Sequence, residues 1–585
     1  MSDPITVEDL LRDPEPALLP VYVHDVAVLS ALGNDLTTLL ARLADPTPFP
    51  DTAEERADGT EVPLGTFPLD PEVEAKNDFD TFAHDWSEED RLIASTRSWR
   101  SAYGMLKPLA AQLTKKEKLE AGLVFGCSTS GVAETIDRLG EFDPWPAVAT
   151  LDPGRPARLL ADALGLSGPA YVVSTACTSG AKAIAEAARL LQIGRTTVML
   201  AGGLDTLNPL TQEGFSALGA RSQKRARPFE AAREGLHLGE GGAFFLLSSD
   251  PKRRVAGSAD NAKPLETWAS VRLSSWGETS DAHHISAPHP EGDGAKRAML
   301  RAMEMTEVTP DEVDYIHLHG TATRQNDPAE AKAVRDAGLQ SAPASSIKRA
   351  VGHTLAGAGA LGAAVAFGLL RDPAMPLPLA FRGDEVPDPE IPQLNWVREP
   401  VAHARRNVLV SAFAFGGSNA SLLFSHTFLT APCDARGLLP QTGPMRLVDE
   451  GLSYSEAGAE SLMTVESDNL LLDLDTGRFP ASGLMEVMAQ TIGIFAGINA
   501  RRAGFEPKIG LLLGSRKITL QAPDYPVGTK FKTTAEKSFL SDEGLWQFAC
   551  RSDALLPGET EYRPAADAVL TVFDAPDGYF NDFRR

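Results

Sequence analysis

One cysteine, two histidines and a lysine stand where the neighbouring residues give each a chemical task. Cys177 falls in AYVVSTACTSGAKAIAEAARLL, residues 170–191, where an apolar strand-like run stops at the thiol and a helical pattern begins. At such a corner the unpaired N–H groups and positive end of the helix dipole favour a thiolate, and small residues at 178–181 let a carbonyl approach. A nucleophile placed this way can be acylated, whereas a lone buried cysteine would be inert packing.

His319 ends a second apolar run in VDYIHLHGTATRQNDPAEAKAV, and Lys348 and His353 flank a turn in PASSIKRAVGHTLAGAGALGAAVAF. Open α/β sheets gather ligands at the carboxyl ends of their strands, so these ends predict one pocket. A fourth end, VLVSAFAFGGSNASLLF, carries Gly416 and Gly417, which let backbone N–H groups face a ligand as half of an oxyanion hole.

These blocks, with VHDVAVLSALGNDL, RPFEAAREGLHLGEGGAFFLL and SDAHHISAPHPEG, resemble the elongating β-ketoacyl-acyl-carrier-protein synthases of fatty acid and polyene or polyketide assembly, over residues 21–425. Thiolases share that fold but close it with a second catalytic cysteine, where this chain has FGGSNA; the initiating synthases carry Asn where His353 stands. The resemblance implies a thiolase-like α/β fold of duplicated βαβαβ halves in αβαβα layers, with halves at about 21–262 and 263–425 and their break near SSDPKRRVAGSADNAKP.

It also implies roles. Cys177 takes an acyl chain from a carrier-protein thioester; His319 and His353 bind the malonyl thioester carbonyl and stabilise the enolate left by loss of carbon dioxide. Lys348 acts through charge and hydrogen bonding, with Glu330, eleven residues after His319, as its ion partner. The backbone N–H groups of Cys177 and Phe415 match the oxyanion hole, and the Phe415 ring a gate on the acyl tunnel. Thr321 and Thr323 match the pair that bonds the pantetheine arm. No cofactor or metal is expected beyond the phosphopantetheine of the carrier protein.

Other residues carry competing readings. His284 is either an extender-site liner or packed against His283. Asp327, before Pro328, reads as a helix N-cap and Glu240, among glycines, as structural. In ARSQKRARPFE, Lys224, Arg225 and Arg227, with Arg221 and Arg233, form a basic stretch suited to an acidic carrier protein, Arg227 foremost.

The 585 residues exceed one ordinary domain, and 43% apolar with 23% charged is a globular composition. A net charge of −24 argues against nucleic acid or an anionic membrane as partner. Four cysteines without metal spacing fit a reducing cytoplasm, and residues 1–20 read as an extension lacking a secretion signal. Thr354 to Leu370 is uncharged over 17 residues, short of the roughly 20 a span needs, and reads as a buried helix.

After a linker at 426–436, residues 437–575 change character, and a short tail, 576–585, ends the chain. A long apolar helix bearing Glu486 precedes the strand-like runs IGLLLGSRKITLQ, TKFKTTAEKSFL, LWQFACRS and AVLTVFDA, the pattern of an α+β hotdog domain. LLPQTGPMRLVDEGLSY and MEVMAQTIGIFAG resemble the short hydroxyacyl-carrier dehydratases of aryl polyene clusters. Those enzymes pair an acid with histidine, yet no histidine follows His426. Gly477-Arg478-Phe479-Pro480 resembles the family's Gly-His-Phe-Pro with Arg for His but stands too near Glu486 and reads better as a second Phe-Pro element, while Gln441, after Leu-Pro, stands where relatives carry histidine; neither Gln nor Arg shuttles protons near neutral pH. Glu486 is then a site remnant, unless Tyr454 or Arg478 compensates. The chain is expected to be an active synthase with a silent hotdog domain, working as a homodimer or with a related synthase. The alternatives are a bifunctional synthase/dehydratase and a noncatalytic chain-length subunit, which would typically lack the nucleophile that Cys177 supplies.

Overall fold

The computed structural model describes residues 19–49, 54–55, 61–62, 65–67, 85–139, 148–250, 271–306, 308–372, 374–402, 405–426, 433–435, 437–455, 458–503, 507, 510–540 and 545–574. The expected break between the synthase halves, most of the N-terminal extension and the tail lie outside the described residues. The chain divides into two compact units, Met1–His426 and Thr427–Arg585.

In the first unit, near-continuous apolar runs make strands buried on both faces. The first half has β1 (Tyr22–Leu29), β2 (Gly122–Gly126), β3 (Ala170–Val173), β4 (Val198–Asp205) and β5 (Gly241–Ser248) in the order β3-β2-β4-β5-β1. The second repeats it with β6 (Val271–Ser280), β7 (Tyr315–His317), β8 (Pro343–Ser345), β9 (Asn395–Trp396), β10 (Asn407–Ala414) and β11 (Ser418–His426), in the order β6-β11-β10-β7-β8-β9. Within each half the two inner pairings are antiparallel and those toward the outer edge parallel. The halves join where Tyr22 and Val23 pair with Arg272 and Val271.

Two helices fill the layer between the half-sheets, α1 (Ser179–Gln192) and α4 (Gly357–Arg371). Between them along the chain come α2 (Asn326–Asp336) and α3 (Lys348–Val351). Every residue of α4 from Gly357 to Leu370 is buried, so the uncharged stretch is a core helix. Its small residues let backbones touch: a Cβ on Gly180 would lie 2.5 Å from the Ala356 carbonyl oxygen, and one on Gly359 2.8 Å from the Ala181 Cβ.

The second unit is the hotdog domain: one helix, α5 (Leu484–Ala503), packed on an antiparallel sheet. Its strands are β12 (Cys433–Asp434), β13 (Glu450–Ser455), β14 (Gly458–Thr464), β15 (Gly510–Leu520), β16 (Lys530–Leu540), β17 (Leu545–Leu555) and β18 (Arg563–Asp574), in the order β12-β13-β14-β16-β17-β18-β15. β12 pairs with Gly451 and Glu450, and Ala435 is buried in this core, so the fold begins inside the stretch read as linker. By length and composition α5 could cross a membrane, but Val487, Met488, Ile494 and Phe495 are packed into the core under the sheet.

Gly180→Ala places a methyl group against a backbone oxygen that cannot move without shifting α4. It should cost about 1–3 kcal/mol, as overpacking does, read as a lower denaturant midpoint with an unchanged m-value.

Candidate active site

The nucleophile corner is built by backbone strain. β3 ends at Val173, Ala176 takes a left-handed φ of 52°, and Cys177 follows with 6% of its surface exposed before α1 starts at Ser179. Thr175 N–H donates to Ser179 Oγ at 2.8 Å, and Thr178 Oγ1 lies 3.0 Å from Ser418 Oγ, tying the corner to the FGGSNA turn. The sequence reading of a ready thiolate needs correcting. Burial pushes the thiol up to about 12, outweighing the pull of Lys348 and of Cys177's own N–H, while Asp205 adds to the upward push.

His319 follows β7, and Lys348 and His353 follow its parallel neighbour β8, so adjacent strand ends bring them together. The imidazole centroids of His319 and His353 lie 5.4 Å apart with planes at 85°. His353 Nδ1 accepts the Leu355 N–H at 3.3 Å, and the Lys348 ammonium lies 3.3 Å from His319 Nδ1 and also donates to the His319 carbonyl oxygen. An Nδ1 that accepts leaves its proton on Nε2, so both rings are Nε2–H tautomers. Among the described residues neither Nε2 bonds a protein partner. Burial and the Lys348 charge keep both imidazoles neutral, well below the ordinary histidine range.

Glu330 is not the direct partner of Lys348 that the sequence suggested. Its carboxylate accepts the His319 N–H at 2.6 Å and the Gly320 N–H at 2.7 Å, so it fixes the backbone that carries His319. Glu330 and Lys348 influence each other through the buried medium; burial raises the acid and lowers the amine. Asp327 is likewise no N-cap. Gln325 holds that position, and Asp327 accepts the Phe229 N–H at 2.7 Å and the Ala322 N–H at 3.1 Å, clamping two loops. Glu240 is structural, bonded to Arg97 at 3.1 Å and 2.5 Å.

Thr321 and Thr323 face each other, Oγ1 to Oγ1 3.0 Å, with Thr323 at the surface side. At the FGGSNA turn Gly416 and Gly417 have φ of 82° and 74°. Gly416 N–H donates to the Ile285 carbonyl at 2.7 Å, so it is spent on the neighbouring loop and only the Phe415 side can serve an oxyanion. The Phe415 ring, 39% exposed, packs 5.4 Å from Phe215, as a movable cover would. In that neighbouring loop His284 is exposed and caps its own turn, accepting Ser286 and Ala287 N–H at 3.1 Å; His283 packs on His289 instead.

Of the basic stretch, Arg225 is buried and donates to the Arg349 and Ala350 carbonyls, both at 3.1 Å, and Arg233 is paired with Asp388 at 2.6 Å. Both are internal struts because the loop folds over the turn that starts α3. Lys224 is exposed and Arg227 partly so, the latter 3.7 Å from Glu230.

The sequence reading missed Asp205, the buried end of β4, whose carboxylate gathers donors from several elements. Its only signal was an acid closing the otherwise apolar run VMLAGGLD. It also missed the strained residues. All six non-glycine residues with positive φ among those described, Ser130, Ala176, Phe229, Ala282, Ala322 and Leu355, lie in loops that carry or brace the site.

In the hotdog unit Glu486 Oε1 accepts Gln490 Nε2 at 3.0 Å, and Gln490 is itself fixed by Leu447 N–H at 2.8 Å and the Met445 carbonyl at 2.8 Å. Arg478 is engaged by Asp524 at 2.5 Å, and Tyr454 stacks on Phe495, at the far part of α5 from Glu486. Gln441 Oε1 is buried and has no hydrogen-bond partner among the described residues. Among the described residues no cluster of His, Cys, Asp and Glu is arranged to hold a metal.

Known proteins resemble this chain over both units. Family models described as "Beta-ketoacyl synthase, N-terminal domain" and "Beta-ketoacyl synthase, C-terminal domain" match residues 97–252 and 271–382, and "ApeP dehydratase" matches residues 433–583. A 3-oxoacyl-[acyl-carrier-protein] synthase 2 of Rhizobium meliloti is 32% identical over 331 residues, 53% of this chain and 74% of that protein. A putative mitochondrial 3-oxoacyl-[acyl-carrier-protein] synthase of Schizosaccharomyces pombe is 29% identical over 335 residues, 53% of this chain and 76% of the other. Among solved structures, a ketosynthase (ApeO) in complex with its chain length factor (ApeC) from Xenorhabdus doucetiae superposes with a TM-score of 0.56 at 28% identity, covering 70% of this chain and 98% of that one. With a buried thiol, two Nε2–H donors and a lysine at adjoining strand ends, the chain belongs to the 3-oxoacyl-[acyl-carrier-protein] synthase family, carrying an ApeP-like dehydratase domain after the synthase.

Proposed function

We propose that the chain elongates an acyl group held on Cys177 by condensation with a malonyl-carrier protein, in polyene or related fatty acid assembly. Support comes above all from the two imidazoles, each fixed as an Nδ1 acceptor beside a buried ammonium. Two Nε2–H donors can converge on one carbonyl oxygen, which is where charge develops when a malonyl thioester loses carbon dioxide.

Three bond changes follow. Cys177 sulfur bonds the acyl carbon, the carrier's C–S bond breaks, and the thiol proton leaves with the pantetheine sulfur. The malonyl C–C bond breaks, carbon dioxide departs, and its electron pair enters an enolate held by His319 and His353 with Lys348 balancing the charge. The carbanion then attacks the acyl carbon, the bond to Cys177 breaks, and the sulfur regains a proton from solvent. Thr321 and Thr323 would hold the pantetheine arm, Phe415 would cover the acyl entrance and its N–H, with that of Cys177, would receive the acyl oxyanion. Lys224 and Arg227 remain the docking candidates for an acidic carrier. No metal or further cofactor is needed for any of these steps, and a cytoplasmic setting suits the thiol.

The hotdog domain is read as silent. Elimination of water needs one group to take the α-proton and another to protonate the hydroxyl, and Glu486 is joined by a glutamine that does not titrate. The edge of β3 is open among the described residues, which suits pairing with a second synthase chain. The ApeO structure, a ketosynthase with its chain length factor, favours a heterodimer as the second reading of that partner.

Cys177→Ala should abolish condensation and keep part of the malonyl decarboxylation, and His353→Ala should slow decarboxylation on the order of a hundredfold, as loss of an oxyanion donor does; carbon dioxide release and carrier mass spectrometry read both. Light scattering at micromolar concentration should give a dimer or, with the chain alone, expose the need for a partner by a monomer inactive in condensation. Glu486→Gln in the full chain should leave condensation within twofold, and the wild type should not dehydrate a β-hydroxyacyl carrier; dehydration lost in the Gln variant would make the protein bifunctional.

A further inference from the structure

Asp205 ends β4 fully buried and accepts six hydrogen bonds. Oδ1 takes the N–H groups of Ser128 and Thr129, each at 3.0 Å, Thr129 Oγ1 at 2.9 Å and Cys127 Sγ at 3.3 Å. Oδ2 takes Ser128 Oγ and, from the start of α4, the Ala356 N–H at 2.9 Å. Among the described residues no cation lies within ion-pair distance of it, so a buried negative charge is held by hydrogen-bond donors alone.

Ala356 is the hinge of the arrangement. Its N–H goes to Asp205 and its carbonyl accepts the Gly180 N–H at 3.0 Å, in the first turn of the nucleophile helix. Three residues earlier, His353 is held by its N–H on the His237 carbonyl and by its Nδ1 on Leu355 N–H, and Leu355 sits at a strained φ of 49°. Among the described residues the Asp205 bond is what fixes the Ala356 N–H that follows this strained residue. The geometry points to Asp205 as a positioning residue: through Ala356 it holds the 353–356 corner so that His353 keeps its Nε2–H toward the malonyl carbonyl.

Asp205→Asn removes the charge. Its oxygen can serve the Ser128 and Thr129 amides, but its NH2 group then faces the Ala356 N–H, donor against donor. Asp205→Glu keeps the charge and, one methylene longer, displaces the Ala356 bond. Both are tested in the full chain by malonyl-carrier decarboxylation, with kcat and KM measured separately and thermal melting as the check on folding. The expectation for each is a decarboxylation kcat at least tenfold lower with KM within threefold and a melting temperature near the wild type. Either variant decarboxylating at the wild-type rate overturns the proposal, and a loss of kcat that only tracks a lowered melting temperature assigns Asp205 a structural role and overturns it too. A wild type that does not decarboxylate malonyl carriers would instead sink the condensing reading on which the inference rests.

Discussion

Two helices meet backbone to backbone at the centre of the synthase, and the catalytic arrangement depends on that contact. Gly180 N–H donates to the Ala356 carbonyl, a pairing possible only because residue 180 has no side chain. α1 begins just after Cys177 and α4 just after His353, so the contact brings the nucleophile and an enolate donor into one layer. The Ala- and Gly-rich composition of α4, which resembles a membrane segment in sequence, is the cost of fitting a helix between two sheets. Gly362 makes the same point, since a Cβ there would lie 2.6 Å from the His317 ring.

Around that contact the site is buried, and burial sets its electrostatics. Burial keeps His319 and His353 neutral, raises the Cys177 thiol and lowers Lys348 to about 8, so that near neutral pH the lysine is still the ammonium of the site. Charges that remain are spent on backbone amides: Glu330 on His319 and Gly320, Asp327 on Phe229 and Ala322. A low-dielectric pocket with preset donors stabilises an enolate more than water can, because no solvent must reorganise when the charge appears.

The hotdog unit shows what the same residue type does without a titratable partner. Glu486 lies at the start of α5, where the helix dipole favours a carboxylate, and its neighbour Gln490 is locked by Met445 and Leu447 into a single orientation. The carboxamide there braces the loop before β13, and that bracing survives whether or not any chemistry is done.

Cys177, His319, Lys348 and His353 were legible in the sequence because each stands beside small residues at the end of an apolar run, and strand ends are where α/β sheets collect their chemistry. The hotdog helix and its strands were legible from periodicity. Partners were not, because they depend on which loops fold over which. Arg225 and Arg233 carry the same charge as Lys224 in the same stretch, but only folding shows that the first two point inward to carbonyls and to Asp388. Glu330 stands at the right spacing for Lys348, yet the tertiary structure turns its oxygens to the amides of His319 and Gly320. The sequence by itself determined the chemistry available, since that is a property of residue types at strand ends; only the tertiary structure decided protonation and pairing, since those follow from burial and from donors more than a hundred residues away, as between Asp205 and Ala356.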